Sequence, residues 1–190
     1  MFRVISGTSR GRTLFSPNGF VARPTASMAR EALFNVLSDK VRGSAVLDLF
    51  AGTGAIGIEA LSCGAKSAVF VDASKDCIGI VKKNIEKMGF ADKSEVHLSD
   101  ANRALKNLFE KRRNFDIIYL DPPYDNSSEF LIEILKNVKK VMSLDGVCVV
   151  ERRKTDDVLN YEKHGFVEIK TKTYSNARLV FLNKAKTEEI

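Results

Sequence analysis

The sequence predicts an α/β fold: a mostly parallel, seven-stranded sheet with helices on both faces, an antiparallel C-terminal hairpin, and a small N-terminal hairpin-and-helix extension. Three observations carry this expectation. From Ser44 onward, short apolar runs alternate with amphipathic segments, the pattern of parallel strands buried on both faces. The last two strand-like runs, "FVEIKTKTY" and "ARLVFLN", have no helix between them and should pair at the sheet's edge. The first 40 residues differ in pattern and in charge and read as an appendage.

In order, "FRVIS" and "RTLFS" are two short strands joined by a turn from Gly7 to Gly11. "NGF" and "RPT" are breakers, after which Thr25 or Ser27 should cap a helix running to about Ser38. In that helix Met28, Leu33, Val36 and Leu37 are expected to face the core, with Arg30 and Glu31 elsewhere. Strands follow at "AVLDLF" (45–50), "SAVFVD" (67–72), "EVHLS" (95–99), "FDIIYLD" (115–121) and "GVCVVE" (146–151). Amphipathic segments at 54–63, 75–89, 101–112 and 127–141 separate them. The expected division is a basic extension over 1–40 and a body over 41–190, a length that suits one domain with an appendage.

No apolar run reaches the ~18 residues that span a bilayer, and "MFRVISGTSRGR" lacks the apolar stretch of a secretory signal, so no membrane partner and a cytoplasmic location are expected. Cys63, Cys77 and Cys148 are far apart, and with only His97 and His164 beside them no zinc spacing forms; no metal is expected. The charge is uneven. Residues 1–45 hold seven Lys/Arg against Glu31 and Asp39, leaving +5 of the chain's net +6 there. A basic lobe on a near-neutral body suits a polyanionic partner.

Ligands of such sheets bind beyond the carboxyl ends of the strands. After the first strand comes "AGTGAIG", then Asp72, Asp100 and "DPPY" after the next three. Gly52, Gly54 and Gly57 form G-x-G-x-x-G between strand and helix, where missing side chains let a ligand approach the backbone. Asp72 lies twenty residues after Gly52, where a carboxylate can accept both ribose hydroxyls. Asp48 places a negative charge before the loop, which repels a pyrophosphate and tolerates a sulfonium or ammonium. Asp100 can accept from an adenine amine, or cap the helix that follows. An adenosine joined to a cationic amino acid matches best, which describes S-adenosylmethionine. In "IIYLDPPYD" a strand ends in a carboxylate, two prolines and a phenol, and the prolines make that strand end stiff.

"VLDLFAGTGAIGIEALSCGA" with "DPPY" resembles the Rossmann-like class I methyltransferases that modify exocyclic amines. "RVISGTSRGRTL", "ARPTASMAREALFNVL" and "TYSNARLVFL" are similar to the bacterial 16S rRNA guanine-N2 methyltransferases acting on guanine 966, over nearly the whole chain. Ser175 departs from the glycine expected in the tail motif. The resemblance implies a cofactor site at Asp48, Phe50, Ala51, Gly52, Thr53, Gly54, Asp72, Ala73, Asp100 and Ala101, and a catalytic site at Asp121, Pro122, Pro123 and Tyr124. The Asp121 carboxylate and the Pro122 carbonyl would orient the amine, and Tyr124 would stack on a flipped base. Arg3, Arg10, Arg12 and Arg23 would hold RNA phosphates. It further implies a monomer acting on an assembled or partly assembled small ribosomal subunit. A DNA adenine-N6 methyltransferase suits "DPPY" as well, but only about forty residues follow the core, little for a separate target-recognition region. An NAD-dependent oxidoreductase would need a better placed histidine than His97 or His164, and a non-catalytic RNA-binding assembly factor remains the reading from another class.

Overall fold

The computed structural model describes residues 2–17, 24–123, 128–174 and 176–185, with side chains in the first helix described from Ser27 onward. Tyr124, Arg23 and Ser175 therefore lie outside the described residues.

The strands are β1 (Ala45–Asp48), β2 (Ser67–Asp72), β3 (Ser94–Leu98), β4 (Phe115–Leu120), β5 (Met142–Arg153), β6 (Phe166–Tyr174) and β7 (Ala177–Lys184). The helices are α1 (Pro24–Leu37), α2 (Ala55–Ser62), α3 (Lys75–Met88), α4 (Ala101–Glu110) and α5 (Ser128–Val141). All seven strands share one sheet in the order β3-β2-β1-β4-β5-β7-β6. β1 through β5 pair in parallel, and β7 runs antiparallel between β5 and the edge strand β6. The chain steps from β1 outward to β3 and then returns to the other side of β1, so strand order reverses between β1 and β4. A crevice opens there, beyond the carboxyl ends of the strands.

Successive strand residues feed two apolar layers, as continuous apolar strands require. Val46, Phe70, Ile117 and Val147 pack with residues of α1, α2 and α3 on one face. Leu47, Val69, Ile118 and Cys148 pack with α4 and α5 on the other. Phe2, Val4 and Leu14 from the N-terminal segment join the first layer, so this segment is seated on the sheet's own core. Among the described residues no helix is long and apolar enough to cross a membrane.

Four local expectations are corrected. The N-terminal hairpin keeps its antiparallel pairing but is shorter than expected. The Leu14 N–H donates to the Phe2 carbonyl, Arg3 bridges Thr13 and the Val4 N–H donates to the Arg12 carbonyl; beyond that Ile5 and Ser6 give their N–H groups to the Glu59 carboxylate. Helix α1 begins at Pro24, ahead of both expected caps, as proline's fixed φ allows in a first turn. Its buried side runs through Arg30, Leu33, Phe34 and Leu37, whereas Met28 is 60% exposed. Arg30 points inward because Glu59 meets it at 3.4 Å, the Arg3 carbonyl accepts from it at 2.7 Å, and the Phe2 ring lies under it. Finally, β5 starts directly after α5, and its register on β4 jumps from Phe115↔Met142 to Ile117↔Val147. The intervening residues bulge outward and leave Leu144 on the surface.

Candidate active site

The glycine loop leaves β1 and enters α2. Gly54 caps the helix at φ +77, a left-handed conformation that costs glycine nothing. Gly57 has a different reason to be glycine: a Cβ there would stand 2.3 Å from the Phe70 ring, so it serves helix-on-strand packing. Asp72, at the end of β2, ties the loop down. One of its oxygens accepts the Gly52 N–H at 2.8 Å and the other the Ser74 N–H at 2.8 Å. Asp48 is fully buried and accepts the Gly57 N–H at 3.1 Å. Burial pushes its pKa up to about 7; the Gly57 bond opposes that rise and nearby Asp72 adds to it. Asp100 caps α4 by accepting the Arg103 N–H at 2.9 Å.

A cavity of about 380 Å³ at the switch point is lined by Phe50, Asp72, Ala73, Asp100, Ala101, Asp121, Pro122 and Pro123. Eight residues nominated from the sequence thus converge from the ends of β1, β2, β3 and β4. Leu49, Ser99, Asn102 and Phe130 complete the wall, and the Phe50 and Phe130 rings lie 6.4 Å apart. Asp100 therefore both caps a helix and faces the cavity. Asp48 and the stretch Ala51 to Gly54 are outside this lining; Asp48 underpins the loop from beneath. A second cavity of about 400 Å³, beside Arg42 and Cys63, holds none of the residues nominated for cofactor, catalysis or RNA.

Asp121 sits among acids. β4 and β5 pair Leu120 with Val150, so one further step sets Asp121 beside Glu151. Burial, then Glu151, then Asp48 push the Asp121 pKa up to about 8. The Tyr119 hydroxyl donates to Glu151, whose own pKa is raised by burial against the pull of that hydrogen bond. An uncharged guest gains little from such a site. A cation placed here is attracted, and it lowers the Asp121 pKa in return.

Of the N-terminal arginines, Arg3 lies at the bridge to Thr13 and Arg10 is exposed. Arg12 has a contact within the fold that its charge did not foretell: its guanidinium donates to the carbonyls of Lys87 and, at 3.4 Å, Met88. These are the last carbonyls of α3, at the negative end of its dipole. The sequence reading passed over Glu59, Asn84 and Glu151. Each carried a signal, being a polar residue within an apolar stretch: "AIGIEALS", the buried stripe Ile78-Val81-Ile85-Met88, and "GVCVVE".

This architecture is that of the Rossmann-like methyltransferases. A solved S-adenosylmethionine-dependent methyltransferase of Agrobacterium tumefaciens shares the fold at 19% identity and a TM-score of 0.64, over 87% of this chain and 63% of that one. The solved protein yhhF of Escherichia coli is 26% identical with a TM-score of 0.83, over 98% of this chain and 99% of that one. The chain belongs to the family described as Conserved hypothetical protein 95, whose model matches residues 2–183. Ribosomal RNA small subunit methyltransferase D of Haemophilus influenzae is 30% identical over 178 residues, 93% of this chain and 92% of its own length. YlbH of Bacillus subtilis is 37% identical over 149 residues, 78% and 81% of the two chains.

Proposed function

We propose that the chain transfers a methyl group from S-adenosylmethionine to the exocyclic N2 of one guanine in small-subunit rRNA. The observation that carries this reading is the meeting of Asp72, Asp100 and Asp121-Pro122-Pro123 in one cavity. Relatives named as small-subunit rRNA methyltransferases support the substrate class. The lining suits the cofactor: apolar Phe50, Phe130, Ala73 and Ala101 for an adenine ring, and carboxylates for hydroxyl donors and for positive charge. When bound, S-adenosylmethionine supplies a methyl group on a positively charged sulfur.

The remaining work falls to the chain. Asp72, its position set by two backbone N–H groups, accepts the ribose hydroxyls, and Asp100 accepts the adenine amine. Asp48 holds the start of α2 through Gly57 and keeps the glycine loop in place. Asp121 and the Pro122 carbonyl hold the protons of the guanine amine, so that its lone pair points where the methyl carbon lies. Positioning of this kind can contribute up to roughly 7–11 kcal/mol. Pro123 keeps the acceptors stiff, and Tyr124 stacks on the base. Methyl transfer would form the N–C bond as the methyl–sulfur bond breaks and the sulfur leaves as a neutral thioether; the proton the amine then sheds would go to Asp121 or through it to water. Residues 1–40 form the RNA-gripping extension on the catalytic body 41–190, with Arg3, Arg10 and Arg23 toward phosphate and Arg12 setting the segment on α3. The protein acts in the cytoplasm as a monomer, on an assembled or partly assembled small subunit.

The test is incubation with methyl-labelled S-adenosylmethionine and small subunits lacking the modification, alongside naked 16S rRNA and duplex DNA. The expected product is N2-methylguanosine at a single rRNA position, guanine 966 by family resemblance, and none from Asp121→Ala. Label in adenine of DNA would overturn the substrate. Bound cofactor with no label in any nucleic acid would overturn the activity and favour an assembly factor.

A further inference from the structure

Asn84 lies on the buried stripe of α3, with its side chain wholly out of solvent. An uncharged amide in an apolar stripe costs stability unless all its donors and its acceptor are used. Here they are used between two segments distant in sequence. The Asn84 carbonyl accepts the Phe15 N–H at 2.7 Å, and its amide nitrogen donates back to the Phe15 carbonyl at 3.0 Å. The same nitrogen donates to the Thr53 carbonyl at 2.9 Å. Toward Phe15 the side chain thus imitates a neighbouring β-strand, offering one acceptor and one donor to a single residue. Toward Thr53 it grips the glycine loop between Gly52 and Gly54.

We propose that Asn84 is a positioning residue that couples the glycine loop to the N-terminal segment, so that a cofactor filling the crevice fixes the segment that holds RNA. The inference rests on the cofactor and the RNA partner proposed above, and adds how the two sites communicate. A ligand held by Asp72 in the cavity restrains Gly52, whose N–H that carboxylate accepts at 2.8 Å, and with it the adjoining Thr53 peptide, whose carbonyl sets the plane of the Asn84 amide. That amide in turn holds both backbone groups of Phe15, in the segment carrying Arg3, Arg10 and Arg12. Other anchors of the segment bypass the loop. Lys87 donates to the Thr13 hydroxyl at 2.9 Å and stands 4.6 Å from the Phe15 ring centroid, and among the described residues it has no hydrogen bond to residues 52–54. Restraint of one site at the other's expense of freedom is reciprocal, so RNA must tighten the cofactor by the same factor.

The experiment follows hydrogen exchange of the Phe15 amide in the whole chain with and without S-adenosylhomocysteine, whose binding is measured separately by calorimetry. In the wild type the ligand is expected to slow exchange at Phe15 by roughly 5-fold or more, the low end of typical coupling. Val4, whose N–H bonds to the Arg12 carbonyl in the same segment, should change less. Asn84→Leu should bind the ligand yet show no ligand-dependent change at Phe15. Lys87→Met should exchange faster overall while keeping the ligand-dependent slowing, which a merely structural asparagine would not predict. If Asn84→Leu does not fold, the wild-type pair and Lys87→Met still decide: equal Phe15 rates with bound and free ligand overturn the coupling. Loss of the slowing in Lys87→Met overturns the route through Asn84. Failure of S-adenosylhomocysteine to bind the wild type overturns the cofactor assignment and this inference with it, whereas binding with unchanged Phe15 exchange overturns the inference alone.

Discussion

Asp72 and Asp121 end two strands on either side of β1 and line the same cavity, yet they are held in opposite ways. Asp72 is surrounded by donors: the N–H groups of Gly52 and Ser74 fix both its oxygens. Asp121 is surrounded by acids, Glu151 and Asp48, with Tyr119 spent on Glu151. A carboxylate fixed by backbone donors makes a rigid acceptor, suited to binding. A carboxylate crowded by like charge rests near neutral pH, holds its proton loosely between two states, and answers strongly to an arriving cation. In the proposed reaction, one side of the crevice would bind and the other react.

The largest expected effect separates these roles. Asp121→Ala should lower kcat by about 10²–10⁴, with a much smaller change in S-adenosylhomocysteine affinity. Asp72→Ala should do the reverse, weakening that affinity by about 10–100-fold, the worth of hydrogen bonds to a charged group. Calorimetry and single-turnover rates on both variants check this, and equal losses in both quantities would erase the distinction.

Asp48 sharpens the comparison through stability. Its folded pKa of about 7 lies above the ordinary carboxylate value of 3.8, so the folded chain binds this proton more tightly than the unfolded chain. The stabilising contribution is therefore complete below about pH 4 and is lost as pH rises through 7. Asp48→Asn should remove that loss. At pH 8 the gain should reach at most about 4 kcal/mol, a Tm rise of up to roughly 8–16 °C, shrinking toward zero near pH 4. Thermal melts across that range test the sign.

The smallest effect concerns the acid pair. In the free enzyme the ionised Asp121 is the acceptor form, so kcat/KM should rise with a limb near pH 8. Glu151→Gln removes the neighbouring charge and should move that limb down by about one pH unit. A limb that stays in place would detach Glu151 from Asp121.

Much of this was legible in the residues. The five parallel strands and the terminal hairpin follow from local periodicity, and a strand's last residue announces what stands at the crevice. That is why Asp72, Asp100 and Asp121, nominated from strand ends, all line the cavity. Residues whose partners come from afar were not legible. Arg30 was expected away from the core because nothing adjacent to it in sequence pairs with it, whereas Glu59 draws it inside. Arg12 was nominated for phosphate on its charge, and its contact with the end of α3 was not legible because Lys87 and Met88 lie far along the chain. Asn84 looked like any polar residue in a helix, since Phe15 and Thr53 lie far from it along the chain.

By itself, then, the sequence determined the alternation of strands and helices, the glycine turn, the stiff Asp121-Pro122-Pro123 end and the basic lobe, because each depends on φ preference, side-chain period or charge carried by neighbouring residues. The tertiary structure alone decided which buried polar groups meet. Burial makes an unpaired donor, acceptor or charge costly, and the partner that relieves it is chosen by packing, not by position along the chain.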